Sequence, residues 1–184
     1  MQKIQALNPS TTTGASNDLF NSIHEKLGMV PNMMKTMGNS PAVLNGYLSF
    51  SDALGNSSIG KKLGELIALT VANANGCEYC NAAHSFISEQ MMGVDKQTIE
   101  AAKEGNSSDL KVKAALQFAR LVLEKKGRIS NMDIDAVKAA GYTDAEITEI
   151  IAHTALNIFT NYFNNALEVD VDFPETSFVK SVAV

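Results

Sequence analysis

No run of basic residues occurs in this chain. Fifteen Lys and Arg stand against twenty Asp and Glu, a formal charge of −5. A nucleic acid or an anionic membrane surface is therefore not an expected partner. Long apolar runs are missing as well, so no segment is expected to cross a bilayer. Met1 to Asn17 holds one Lys and no apolar stretch of the kind a secretory signal carries. A cytoplasmic setting is the resulting expectation. Cysteine is scarce: Cys77 and Cys80 are the only two. In a reducing compartment a lone pair at that spacing is seldom a structural staple. None is required, because 184 residues with 45% hydrophobic side chains can bury a core of their own. Period-two alternation and low-complexity segments are also absent.

What is present reads almost throughout as helix, so the expected fold class is an all-α bundle. Residues 1–16 are polar and read as an extended arm, 17–168 as one helical domain, and 169–184 as a tail that packs on a neighbour. Asn17 to Leu27 is amphipathic and stops at Gly28; Pro31 opens a Met-rich turn or helix, Asn32 to Met37. Ser40-Pro41 starts a helix running to about Leu54, since Ser caps and Pro suits the first helical position. The next runs from about Ile59 to Ala74, with Leu63, Leu66, Ile67, Thr70 and Val71 on one face. Another begins around Cys77 and stops before Gly93. Asp95 and Asp109 cap two more, the second with Leu110 on its apolar face. Ser130 to Ala140 is closed by Gly141. Thr143-Asp144-Ala145-Glu146 is a capping box opening a long helix. Ile147, Ile150, Ile151, Thr154, Ala155, Ile158 and Phe159 form its expected apolar stripe.

Two of these helices match one another. GKKLGELIALTVAN at 60–73 and DAEITEIIAHTALN at 144–157 share Glu65/Glu149, Ile67/Ile151, Ala68/Ala152, Thr70/Thr154 and Asn73/Asn157 at an offset of 84. Duplication and chance resemblance of two amphipathic helices both account for this. Carried on, the same offset sets Asn161 and Asn164 against Cys77 and Cys80.

The chemistry-bearing stretch is Glu65, then Cys77-Glu78-Tyr79-Cys80-Asn81-Ala82-Ala83-His84. On a helix, residues three or four apart are neighbours, so Cys77, Cys80 and His84 fall in one row. A thiolate is the nucleophile, and an imidazole or a helix N-terminus favours it over the thiol. Gly76 suggests that both cysteines lie in the first turn, where unpaired N–H groups point at them. Residues i and i+3 lie roughly 5–6 Å apart, within reach of a disulfide. His84 can accept a proton at neutral pH. The Asn73-Ala74-Asn75-Gly76 break permits an antiparallel return that brings Glu65 beside His84, where a carboxylate orients the ring.

Glu65, Cys77, Cys80 and His84, with their spacing, resemble the alkylhydroperoxidase D-like branch of the carboxymuconolactone decarboxylase family. Gly28-Met29-Val30-Pro31-Asn32-Met33, Ser40-Pro41, Glu65-Leu66-Ile67-Ala68, Ala140-Gly141-Tyr142-Thr143 and Asp172-Phe173-Pro174 resemble its longer, peroxidase-related members. The resemblance implies an all-α fold built on an antiparallel helix pair, assembled as trimers or hexamers. It implies a peroxiredoxin-type alkyl hydroperoxide reductase in which Cys80 attacks the peroxide and Cys77 resolves the sulfenic acid. His84 and Glu65 would relay the proton. No bound cofactor or metal is implied; the partners are a small hydroperoxide or disulfide and an external dithiol. The chain departs from the family's pattern at Glu78-Tyr79, where the best-known peroxidase has a histidine, and at Gly64, often Arg in relatives.

Other readings of the same residues are an oligomeric redox sensor or scaffold that does not turn over, and a zinc module of Cys77, Cys80, His84 and Glu65. Tyr79, off the reactive row, reads as packing, and His153 as a core or interface histidine. Met29, Met33, Met34 and Met37 read either as core or as the wall of an apolar pocket.

Overall fold

A computed structural model describes residues 2–176, which contain helices and no strand. The helices are α1 (Ala15–Leu27), α2 (Asn32–Met37), α3 (Pro41–Leu54), α4 (Gly60–Ala74), α5 (Glu78–Phe86), α6 (Lys96–Lys103), α7 (Leu110–Glu124), α8 (Asn131–Ala139) and α9 (Asp144–Leu167). The capping signals act where the sequence places them. Ser40, Asp95 and Asp109 side chains accept backbone N–H groups of α3, α6 and α7, and Thr143 with Glu146 forms the capping box of α9. Ser130 and Asp133 form a second capping box at α8. The helix expected from about Cys77 to before Gly93 is α5, continued by a wider π-turn over Ile87–Met91.

Helix α4 is the axis of the fold and packs against α5, α6, α7 and α9. One side meets a core that includes Ile67, Leu69, Leu116, Phe118 and Ile150; the other meets a cluster of Phe20, Met33, Met37, Leu44, Tyr79 and both cysteines. Burying each such aliphatic or aromatic side chain contributes roughly 1.5–3 kcal/mol.

Two expected apolar faces are corrected. Leu110 is 80% exposed, because it sits at the first turn of α7 outside the core. On α9 the buried stripe is Ile147, Ile150, Thr154, Asn157, Asn161 and Asn164, while Ile151 and Phe159 are 38% and 41% exposed. The N-terminal half of α9 meets the apolar core. Its C-terminal half meets the polar α4–α5 turn and the cysteine sulfurs, which asparagine can satisfy and isoleucine cannot.

Over its described part the tail packs on its own chain. Asp172 accepts from the Asn32 N–H at 2.7 Å and from the Tyr79 hydroxyl at 2.8 Å, and the Phe173 ring stands edge-on to Tyr79 at 5.7 Å. The remainder of the expected tail, 177–184, lies outside the described residues.

Candidate active site

Helix α4 ends where Gly76 takes φ +61°, a left-handed turn that a residue with a Cβ adopts only under strain. The chain reverses there. Cys77 follows as the N-cap of α5, and its Sγ accepts the Cys80 N–H at 3.2 Å. The N–H expected to serve the reactive row therefore points at Cys77 rather than Cys80, because Cys77 lies before the first turn and not in it. Both cysteines are free thiols, buried, and hydrogen-bonded to one another.

The reversal sets α5 against α4 and brings Glu65 to His84. His84 Nδ1 lies 2.7 Å from Glu65 Oε2, so that nitrogen carries the proton and donates it. Burial pushes the imidazole down, but the Glu65 charge and hydrogen bond, with the Cys80 thiolate, raise it overall. The expected antiparallel return is thus present, and Cys80 and His84 are close enough for each charge to act on the other.

The two sulfurs are unlike. Burial pushes the Cys80 thiol up, yet the Cys77 S–H, the His84 charge and the amides of Asn164 and Asn161 outweigh it and bring it down to about 7. Cys77 is held far above its ordinary value, first by its hydrogen bond to Cys80 and then by burial. Only Cys80 borders a cavity of about 380 Å³, whose wall also holds Glu65 and His84. Met29, Met33 and Met34 line it with Leu156, Phe86 and Phe173, while Met37 is core. The Met-rich segment is therefore divided between the two roles.

Several residues of the site had no local sequence signal. Tyr47 lies near Glu65 and Cys80; burial, then those two charges, push its phenol up to about 12, so it remains a donor. Asn164 Nδ2 donates to Cys80 Sγ at 3.2 Å. The offset of 84, which set Asn164 against Cys80, is the one pointer the sequence carried. His153, expected as a core or interface histidine, borders the cavity, with Nε2 3.1 Å from Ser57 Oγ. Burial lowers it. Its ring lies over Gly64: a Cβ there would sit 2.8 Å from His153 Cε1. That contact is a physical reason for glycine at this position. Tyr79 is buried as packing, and its hydroxyl also ties α2 to the tail. Among the described residues no three His, Cys, Asp or Glu side chains are disposed to hold a metal ion.

The carboxymuconolactone decarboxylase family model matches residues 41–125, which include Glu65, Cys77, Cys80 and His84. A search of curated proteins gives no significant match. Among solved structures, a peroxidase-related protein from Silicibacter sp. TM1040 is 26% identical, covers 98% of each chain and has a TM-score of 0.79. An alkylhydroperoxidase AhpD core protein, peroxidase-related, from Ralstonia eutropha JMP134 is 21% identical over 93% of this chain and 92% of that one, TM-score 0.83. The debrominase Bmp8 is 23% identical over 92% and 91%, TM-score 0.76. The family match over the reactive row and the fold shared over nearly the whole chain make this protein similar to the carboxymuconolactone decarboxylase family and to solved alkylhydroperoxidase D-like structures.

Proposed function

We propose that this chain is a thiol-dependent peroxidase that reduces organic hydroperoxides through Cys80 and Cys77. One observation carries the reading: the sulfur with the depressed proton affinity is the one that opens onto an apolar cavity, next to a hydrogen-bonded His84–Glu65 pair. A nucleophile works best when its pKa lies near the working pH, and about 7 meets that condition.

In the first step the Cys80 thiolate attacks the terminal oxygen of the hydroperoxide. An S–O bond forms from the sulfur electron pair, the O–O bond breaks, and the departing alkoxide takes a proton from His84 to leave as an alcohol. Glu65 holds the imidazolium until then. In the second step Cys77 attacks the Cys80 sulfur, and its proton passes to the departing hydroxide. The S–S bond forms, the S–O bond breaks, and hydroxide leaves as water after protonation. An external dithiol then reduces the disulfide by exchange. We further propose that the chain assembles as a trimer or hexamer; the exposed Ile151, Phe159 and Tyr162 of α9 are available to such an interface, and light scattering would test it.

The test is a steady-state assay with cumene hydroperoxide and excess dihydrolipoamide. Multiple turnover that disappears in Cys80→Ser supports the reading, and Cys77→Ser is expected to accumulate a sulfenic acid detectable by mass spectrometry. No rate above the reagent blank in the unaltered protein would overturn it in favour of a redox sensor.

A further inference from the structure

We propose that Asn164 and Asn161 form an anion hole for Cys80, two carboxamide donors from α9 that hold its sulfur as a thiolate. The proposal rests on Cys80 being the reactive sulfur. Asn164 Nδ2 already points at Cys80 Sγ at 3.2 Å, and both asparagines are buried, at 3% and 0% exposure. They lie one turn apart on the same face of α9. Asn161 is oriented by its carbonyl, which accepts from Asn75 Nδ2 at 2.9 Å. Its amide nitrogen is thereby turned away from Asn75 and has no acceptor in the dithiol form, yet it acts on the Cys80 thiol to favour ionisation.

A merely structural role does not account for these amides. Buried carboxamides that only brace a fold are mostly paired at both ends. Here Asn161 Nδ2 and Asn164 Oδ1 are both unpaired. A donor without an acceptor, beside a sulfur that becomes an anion during the reaction, is preorganised for that charge and need not move when it develops. The hole also explains the choice of residue. A Lys or Arg would stabilise the thiolate but would bring a buried cation at rest, whereas an amide favours the anion and leaves the resting thiol neutral. The other titratable groups facing Cys80 are Cys77 and His84 on its own segment, and Tyr47 and Tyr79. Of these only His84 brings a positive charge, and Glu65 neutralises part of it.

The test is the pH dependence of Cys80 alkylation, read by peptide mass spectrometry, in the full chain. Asn164→Leu removes the donors at similar volume. A charge-assisted hydrogen bond corresponds to about one pH unit or more, so the Cys80 midpoint is expected to rise by about one unit. Below the midpoint the alkylation rate then falls roughly tenfold. Asn165→Ala, one residue on, exposed and bonded to the Asn75 carbonyl, is expected to leave the midpoint unchanged. In the unaltered protein, the side-chain amide ¹⁵N–¹H resonances of Asn164 and Asn161 are expected to titrate with the midpoint of Cys80. A midpoint shift under about 0.3 unit in Asn164→Leu would overturn the proposal. Should that variant fail to fold, amide resonances that stay flat through the thiol titration would overturn it instead. Neither readout uses hydroperoxide turnover, so an inactive peroxidase assay would strike the function proposed above and leave the anion hole standing.

Discussion

The α4–α5 reversal and the C-terminal helix α9 begin alike and end differently. Both start at the same offset, Gly60 against Asp144, and their buried Thr70 and Thr154 each bond back to the carbonyl four residues earlier. Then α4 breaks at Gly76 and turns back, while α9 runs straight to Leu167. The break places a sulfur pair on one side of the contact, and the unbroken helix places an asparagine pair on the other. Glu65 and Glu149 show the same divergence. Glu65 holds His84, whereas Glu149 accepts the Ser58 and Ile59 N–H groups at the start of α4 and so caps that helix. One pattern therefore supplies a reactive half and a supporting half, and the position of a single turn separates them.

The largest expected effect tests the reactive half. Cys80→Ser should abolish hydroperoxide consumption, whereas Asn164→Ser, at its counterpart position on α9, should slow it without abolishing it; both are read in the steady-state assay. Next, Glu65→Gln should lower kcat about a hundredfold, the low end of the range for a positioned acid–base group. Glu149→Gln should leave kcat within about twofold and lower the melting temperature instead, the usual consequence of a lost cap worth about 1 kcal/mol. If both substitutions acted on kcat equally, the division between the halves would fail. Gly76→Ala should destabilise the fold by about 1–2 kcal/mol in urea titration, since φ +61° strains a residue with a Cβ. The smallest effect is a pH dependence. His84 is raised in the fold, so its contribution to stability is complete below its ordinary value of 6.5 and is lost as pH rises through the raised value. Melting temperatures of the unaltered protein and Glu65→Gln should therefore differ most at mildly acid pH and converge at alkaline pH.

Local chemistry made much of this legible. Ser40, Asp95, Asp109 and Thr143 announce helix starts because their side chains bind the next turn's own N–H groups, whatever lies around them. The row Cys77, Cys80, His84 follows from helical spacing, and its carboxylate from one glycine-containing break. The assignment of the free N–H was not legible, because one residue's shift in the helix start moves it from Cys80 to Cys77. Nor was the buried face of α9: Ile151 and Phe159 look like core by hydropathy, but the helix turns them to its exposed side. Tyr47, Asn164 and Asp172 reach the site from segments far away in the chain, with no local spacing to mark them.

Residue types and short-range spacing alone determined an all-helical chain, where most helices begin, and which two sulfurs and one imidazole share a face. These depend on contacts within one or two turns, and such contacts are written in neighbouring letters. Only the tertiary structure decided which sulfur opens to the cavity, which amides face it, and which side of α9 is buried. Those outcomes depend on helices 80 or more residues apart meeting across a core, where burial and hydrogen-bond satisfaction outweigh local pattern.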